Sequence, residues 1–164
     1  MTRIIKDGAV RESPFEMVLD ATADITSPNL ILPLELYLAS RGTQGIHRDT
    51  GVWLDSDEAV ESLIEGDPEG WSNCPVIALN FPAFNDGRAL SSANLLRRKY
   101  GFSGEIRAVG DVRRDQLEQM MRCGFNAFQM AEGHDPEAAI AGLKSFSENY
   151  QITADRQEPL FRRR

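Results

Sequence analysis

The chain has 164 residues, of which 41% are hydrophobic, and this is the size of one domain with a substantial buried core. Its net charge of -7 argues against polyphosphate binding, which needs clustered Lys and Arg, so no nucleic-acid partner is predicted. The longest apolar run, residues 29–38, is interrupted by Pro33 and Glu35 and is too short to cross a bilayer. The N-terminus lacks the apolar segment of a secretory signal. We therefore expect a cytoplasmic protein with no membrane partner.

Residues 1–50 are predicted to form a flap made of a hairpin and a helix. The dipeptide Asp7-Gly8 lies between two short strand-like segments, residues 3–6 and 9–11, and is typical of a tight hairpin turn. A helix is predicted over residues 33–41, because Pro33 is tolerated in a first turn and Gly42 follows the end. Residues 43–50 are then expected to form a polar loop.

Residues 51–150 repeat one pattern four times: a short apolar run, a polar turn and a segment with helical periodicity. This pattern is typical of parallel βαβ units. The predicted strands cover residues 52–54, 76–81, 106–109 and 126–130. The fold class is therefore α/β, a single domain over residues 1–164 with a tail at 151–164. Four consecutive βα units form either a small open parallel sheet or a partial (β/α) barrel.

Arg107 lies within one of these predicted strands, although both faces of a central parallel strand are normally apolar. Either its face opens onto a polar cleft or a subunit interface, or its side chain extends past the strand end to reach water. The first interpretation makes Arg107 a candidate binding residue and is compatible with a homodimer.

Ligands of parallel α/β folds bind beyond the carboxyl ends of the strands, because the following helices direct their N-termini there. Three acidic residues at that edge are candidate acid-base groups: Asp55, Asp111 and Glu132. Helix capping is the commoner role for such residues, and Asp55 with Glu58, Asp111, and Asp135 before Pro136 all match capping patterns.

The cysteines and histidines form no pattern of a metal or redox site. Cys74 and Cys123 are far apart with no C-x-x-C pair, and His47 and His134 have no partner at ligand spacing. No G-x-G-x-x-G follows a predicted strand, and no P-loop is present. No metal and no cofactor are therefore predicted. Both cysteines are expected at the sheet edge opposite the ligand edge, in structural roles.

The connection over residues 81–92 combines several specialised residue types. Phe81-Pro82 ends a predicted strand sharply, and a polar turn leads to the helix that Arg88 opens. A helix N-terminus attracts sulfite, sulfate, phosphate or carboxylate, and an adjacent guanidinium adds bidentate hydrogen bonds. Alternatively, Arg88 pairs with Asp86, Asp111 or Asp55 as a structural clamp between neighbouring βα units. The candidate binding residues are Asn85, Asp86, Gly87, Arg88 and Ser91 in this turn, with Arg107 outside it.

Several motifs together resemble a known family. Residues 81–91 read FPAFNDGRALS, residues 104–112 read GEIRAVGDV, and residues 124–128 read GFNAF. With the tail over residues 150–163, they resemble an uncharacterised bacterial family, domain of unknown function nine hundred and thirty-four. The resemblance covers most of the chain beyond residue 75. Members of that family are labelled as oxidoreductases involved in sulfite reduction, since they are encoded beside sulfite reductase and other sulfur-assimilation genes.

The resemblance implies a place in assimilatory sulfite reduction with sulfite reductase as a partner. Whether the chain is itself an enzyme stays open, because no cofactor motif is visible. The first hypothesis is therefore an accessory protein or oxidoreductase component of this pathway that binds a small oxyanion at residues 81–92. The second is a partial-barrel enzyme, with the three acidic residues as acid-base groups and Arg88 or Arg107 holding an anionic substrate. The third is a structural, dimeric interaction module with Arg107 and the hairpin at its interface.

Overall fold

The computed structural model of the chain describes residues 1–19, 24–41 and 46–144. The strands are β1 (Thr2–Lys6), β2 (Ala9–Ser13), β3 (Glu16–Met17), β4 (Leu30–Pro33), β5 (Gly51–Leu54), β6 (Val76–Phe81), β7 (Glu105–Gly110) and β8 (Ala127–Phe128). The α-helices are α1 (Leu34–Arg41), α2 (Val60–Gly66), α3 (Arg88–Arg98), α4 (Leu117–Cys123) and α5 (Pro136–Ala139). Short 3₁₀ helices cover Trp71–Asn73, Arg114–Gln116 and Ile140–Lys144. The α/β class is confirmed.

The predicted N-terminal hairpin is present. β1 and β2 pair antiparallel, with Lys6 opposite Ala9. Asp7 and Gly8 form the turn with φ values of 52° and 77°. A two-residue type I′ turn needs positive φ at both positions, which explains this dipeptide. β1 also pairs antiparallel with β8, so the hairpin is part of the main sheet.

The strands form one sheet of eight, in the order β2-β1-β8-β7-β6-β5-β4-β3. From β3 to β8, neighbours run parallel and follow one another along the chain. Successive right-handed crossovers place the connecting helices on one face of such a sheet. The sheet is larger than predicted, because β3 and β4 precede the first expected parallel strand and the hairpin extends the sheet beyond β8.

The two edge strands of this sheet are consecutive in the chain. β2 ends at Ser13 and β3 begins at Glu16, so only Pro14 and Phe15 join them. Three Cα steps span at most about 11 Å, whereas the edges of a flat eight-stranded sheet lie about 34 Å apart. The sheet must therefore curl, and its shape is a curled half-barrel. We call residues 13–16 the seam.

Alternating strand residues form two apolar layers. The outer layer, under the helices, includes Leu54, Leu79 and Ile106 in a large core cluster. The inner face of the curl has a smaller cluster formed by Ile31, Val76, Ala78 and Val109. Phe15 of the seam and Trp53 of β5 pack against that smaller cluster. The seam therefore covers part of the inner face.

Some predicted boundaries change. The helix predicted over residues 33–41 is confirmed as α1, except that Pro33 is the last residue of β4. The strand predicted over residues 126–130 is shorter, because β8 covers only Ala127–Phe128. Gly42, part of the predicted polar loop and the tail lie outside the described residues. In the part of the chain that is described, no helix has the length and apolarity to cross a membrane.

Candidate functional site

The connection over residues 81–92 lies at the carboxyl edge of the sheet, as predicted. β6 ends at Phe81, which lies opposite Gly110 at the end of β7. Gly87 precedes the first residue of α3, Arg88. A pocket of about 240 Å³ opens between this turn and α4, and its walls include Phe81, Phe84 and Gln119.

Arg88 is held by Asp86 and Ser56. Its Nε lies 3.0 Å from Asp86 Oδ1, and its Nη2 lies 2.6 Å from Asp86 Oδ2. Its backbone N–H donates to Asp86 Oδ1 at 3.1 Å, and Nη2 also donates to Ser56 Oγ at 2.8 Å. Of the three aspartates considered for a clamp, Asp86 is the one that pairs with Arg88. Its carboxylate takes the position at this helix N-terminus that an external anion would need.

The Asp86 carboxyl should titrate unusually low. Hydrogen bonds from Arg88 lower the pKa of Asp86 from its ordinary 3.8 to about 2. A carboxyl with a lowered pKa in the folded state favours folding above its ordinary pKa, and this contribution is lost as the pH falls through about 2. In a carbon-detected NMR titration we expect a midpoint near pH 2 for Asp86, which rises toward 3.8 in Arg88→Gln. An unchanged midpoint would show that Arg88 is not the cause.

Phe84 is an exposed aromatic residue whose backbone is fixed at both polar groups. Its N–H donates to Asp111 Oδ2 at 3.0 Å, and its carbonyl oxygen accepts from Gln116 Nε2 at 2.5 Å. The residue is nevertheless 51% exposed. The Arg113 guanidinium lies 5.0 Å from the ring centroid. Sequence reasoning missed Phe84, and its only signal was an aromatic residue directly before the polar residues Asn85 and Asp86.

Asp111 connects this aromatic residue to the end of β7. Arg113 donates from Nε to Asp111 Oδ1 at 2.9 Å and from Nη2 to Oδ2 at 3.0 Å. The Arg113 guanidinium, with a smaller contribution from the Phe84 N–H, holds the pKa of Asp111 below its ordinary value. A carboxylate bound in this way is a poor proton donor near neutral pH. Its position instead makes Asp111 a brace for the turn.

The three predicted acid-base residues have different surroundings. Asp55 Oδ1 accepts from Asn80 Nδ2 at 2.9 Å, Asp111 pairs with Arg113, and Glu132 is exposed. Among the described residues, no group of three or more His, Cys, Asp or Glu side chains is arranged to hold a metal ion. The geometry does not gather these carboxylates into one centre.

The predicted helix caps also differ from one another. Asp135 caps α5 as expected, accepting from the N–H groups of Glu137 and Ala138. The Glu58 side chain accepts from the Asp55 N–H at 2.7 Å, but α2 begins only at Val60. This hydrogen bond is one of the two that a capping box requires, and it forms in the turn before α2 rather than at the helix N-terminus.

Arg107 lies apart from the turn, on the inner face of the curl. Its side chain is 1% exposed, and its Nε donates to Glu105 Oε1 at 2.7 Å. Its Nη2 donates to Ser13 Oγ at 2.9 Å, and its guanidinium lies 5.8 Å from the centroid of the Phe15 ring. Lys6 Nζ lies 2.7 Å from the other oxygen of Glu105. Arg107 therefore neither faces an open cleft or interface nor extends past the strand end, because the seam covers it.

The cysteines occupy the opposite edge, and neither is in a disulfide. Cys74 is buried just before β6, and burial raises the pKa of its thiol to about 11. Cys123 ends α4, which is followed by Gly124 with φ of 120°. These positions agree with the structural roles expected from the sequence.

Fold and site together define a curled α/β protein that presents a braced aromatic residue at the carboxyl edge of its sheet. A search of curated proteins finds no match. A family model described as "Bacterial protein of unknown function (DUF934)" matches residues 51–161, which is more than half of the chain. The chain belongs to this bacterial family, and the resemblance seen in the motifs is confirmed.

Proposed function

We propose that this protein is a cytoplasmic accessory protein of assimilatory sulfite reduction that docks onto sulfite reductase. The pathway is carried by the family resemblance. The docking role is carried by one observation, the exposed ring of Phe84 on a backbone fixed by Asp111 and Gln116.

A fixed, exposed aromatic ring suits protein recognition. Aromatic residues and arginine are enriched among the residues that contribute most to binding, and Arg113 lies against this ring. A partner that covers Phe84 need not order the turn first, because the two backbone hydrogen bonds already do so. Preorganisation therefore favours binding at this position.

The surface around Phe84 continues into a groove between α3 and α4. The groove has a volume of about 490 Å³ and shares Gly87, Leu90 and Gln119 with the pocket beside Phe84. Leu95, one of the exposed large apolar residues, also lines it. Phe84 and this groove together form the surface that we assign to the partner.

Phe84→Ala is expected to weaken binding to purified sulfite reductase by about 30-fold, corresponding to about 2 kcal/mol for a central aromatic contact. The fold should be little affected, since about half of the residue is exposed. Biolayer interferometry with the immobilised full-length chain measures the affinity. Leu19→Ala is the matched control, because Leu19 is also apolar and 75% exposed but lies outside the proposed surface.

Two outcomes would count against the proposal in different ways. Failure of the unaltered chain to bind the reductase, or to co-purify with it from cells that assimilate sulfate, would refute the accessory role. If the unaltered chain and Phe84→Ala bind the reductase equally well, the accessory role stands, but Phe84 does not belong to the docking surface.

Oxyanion binding is a second candidate function. Arg88 is 59% exposed by side chain, and with Ser91 and Ser92 it lines an open cleft of about 300 Å³. Acidic residues line the same cleft, and an anion would have to displace Asp86 from Arg88. Sulfite-dependent stabilisation that disappears in Arg88→Gln would support this candidate.

The remaining hypotheses have less support from the geometry. An enzyme using Asp55 or Asp111 would first have to release their hydrogen bonds to Asn80 or Arg113. A homodimer through the hairpin could not present Arg107 at its interface, because the seam of the same chain covers this side chain.

A further inference from the structure

A polar pocket of about 230 Å³ opens at the amino end of β5 and β6. Thr50 directly precedes β5, and Cys74 lies two residues before β6; both residues line the pocket. This edge of the sheet is opposite to the one that carries Phe84. The pocket is therefore separate from the surface assigned to a protein partner.

Arg41 is fixed in the wall of this pocket. Its Nε lies 2.8 Å from Asp67 Oδ2, and its Nη2 donates to Asp67 Oδ1 at 3.3 Å. The buried Asp67 also accepts from the Tyr37 hydroxyl at 3.0 Å, and the guanidinium lies 5.6 Å from the centroid of the Tyr37 ring. A Cβ at Gly70 would overlap Arg41 Nη2, so a glycine at this position leaves room for the guanidinium. Arg41 is thus held in one orientation before any ligand arrives.

Thr50 supplies a polar group without a protein partner. It is 3% exposed, and its Oγ1 has no hydrogen-bond partner within the described ranges. Leaving a buried hydroxyl unsatisfied is unfavourable, whereas a ligand oxygen in the pocket would accept its hydrogen. Thr50 and Arg41 both line the same small volume.

We propose that this pocket binds a small monoanion of the carboxylate class. Arg41 and Arg48 line the pocket and provide guanidinium donors, while the Thr50 hydroxyl provides a further donor. Glu69 lines the same pocket, and its negative charge opposes an anion that carries two charges. The volume of about 230 Å³ corresponds to about eight water molecules at about 30 Å³ each, so it readily admits a small ligand such as a short monocarboxylic acid.

The experiment measures binding of acetate to the full-length chain by NMR titration, with sulfate at equal ionic strength as the divalent probe. We expect acetate to shift resonances of residues lining the pocket and sulfate to bind more weakly. Thr50→Val preserves the shape of the side chain and removes only the hydroxyl, so it should fold at least as stably as the unaltered chain. It is expected to weaken acetate binding by about tenfold.

Two further variants sharpen the test. Arg48→Gln, at a side chain that is 89% exposed, should fold normally and weaken acetate binding several-fold. Thr2→Val, the same substitution in β1 on another part of the sheet, should bind acetate like the unaltered chain. Absence of acetate-dependent shifts at the pocket, equal affinity in Thr50→Val, or tighter binding of sulfate would each overturn the proposal. Binding of sulfite reductase is unaffected by any of these outcomes, so the proposed function is tested separately.

Discussion

Glu105→Gln should destabilise the protein by about 3 kcal/mol, because it leaves the buried Arg107 guanidinium without its carboxylate partner. Glu105 also pairs with Lys6, so one carboxylate balances two cations on the inner face of the curl. Glutamine has nearly the same shape, so the substitution removes the charge and replaces one accepting oxygen by a donating NH2 group. Urea unfolding with an unchanged slope measures the difference in free energy.

Glu137→Gln is the matched control for this substitution. Glu137 pairs with Arg3 at 3.3 Å, but both side chains are largely exposed. An exposed pair contributes about 0–1 kcal/mol, so the control should unfold almost like the unaltered chain.

Arg107→Met should cost less than Glu105→Gln, because Lys6 and Glu105 remain as a balanced pair. A larger loss of stability in Arg107→Met than in Glu105→Gln would contradict the charge balance that we assign to this cluster.

Gly110→Ala should destabilise the fold by about 3 kcal/mol or more, through steric overlap added to backbone strain. Gly110 has φ of +92°, and a Cβ there would overlap the Phe81 carbonyl oxygen and lie 2.5 Å from Asn80 Oδ1. The Phe81 carbonyl is part of the backbone of the adjacent strand and cannot move without disturbing the sheet, and Asn80 could rotate away only by giving up its hydrogen bond to Asp55. Urea unfolding gives the cost. Because Asp111 follows directly and braces Phe84, binding to the partner should weaken as well.

Gly133→Ala separates the two causes. Gly133 has φ of +81°, but a Cβ there meets no atom within 4 Å. This variant carries the conformational strain alone and should cost about 1 kcal/mol. Equal costs at the two positions would show that the contact with β6 is unimportant.

The sequence predicted the central strands well because their apolar runs are unambiguous. β6 matches its predicted bounds, β5 begins one residue earlier than predicted, and β7 is one residue longer at each end. β4 was missed because Pro33 is equally acceptable as the end of an edge-like strand and as the first turn of a helix. Local patterns could not choose between an open sheet and a partial barrel, since the curl depends on the pairing of β1 with β8.

The candidate site was predicted in position but not in detail. Composition and spacing placed Arg88 at a helix N-terminus, yet they could not choose among three aspartates as its partner. The burial of Arg107 does have a local signal in the sequence. Glu105 lies two residues earlier on the same face of a strand, and this spacing favours an ion pair. Its contact with Ser13 is distant in sequence and could not be foreseen.

The pairing of β1 with β8 also constrains how the chain is made. Ile5 is synthesised long before its partner Phe128, so β1 cannot pair with β8 until nearly all the described residues have been made. Until then, the edge of β1 that will pair with β8 presents unpaired N–H and C=O groups to the surrounding solution. Contacts between residues so far apart in the sequence also slow folding. The sheet is therefore completed only once β8 has been synthesised, and the nascent hairpin needs protection from pairing with other exposed strands until that moment.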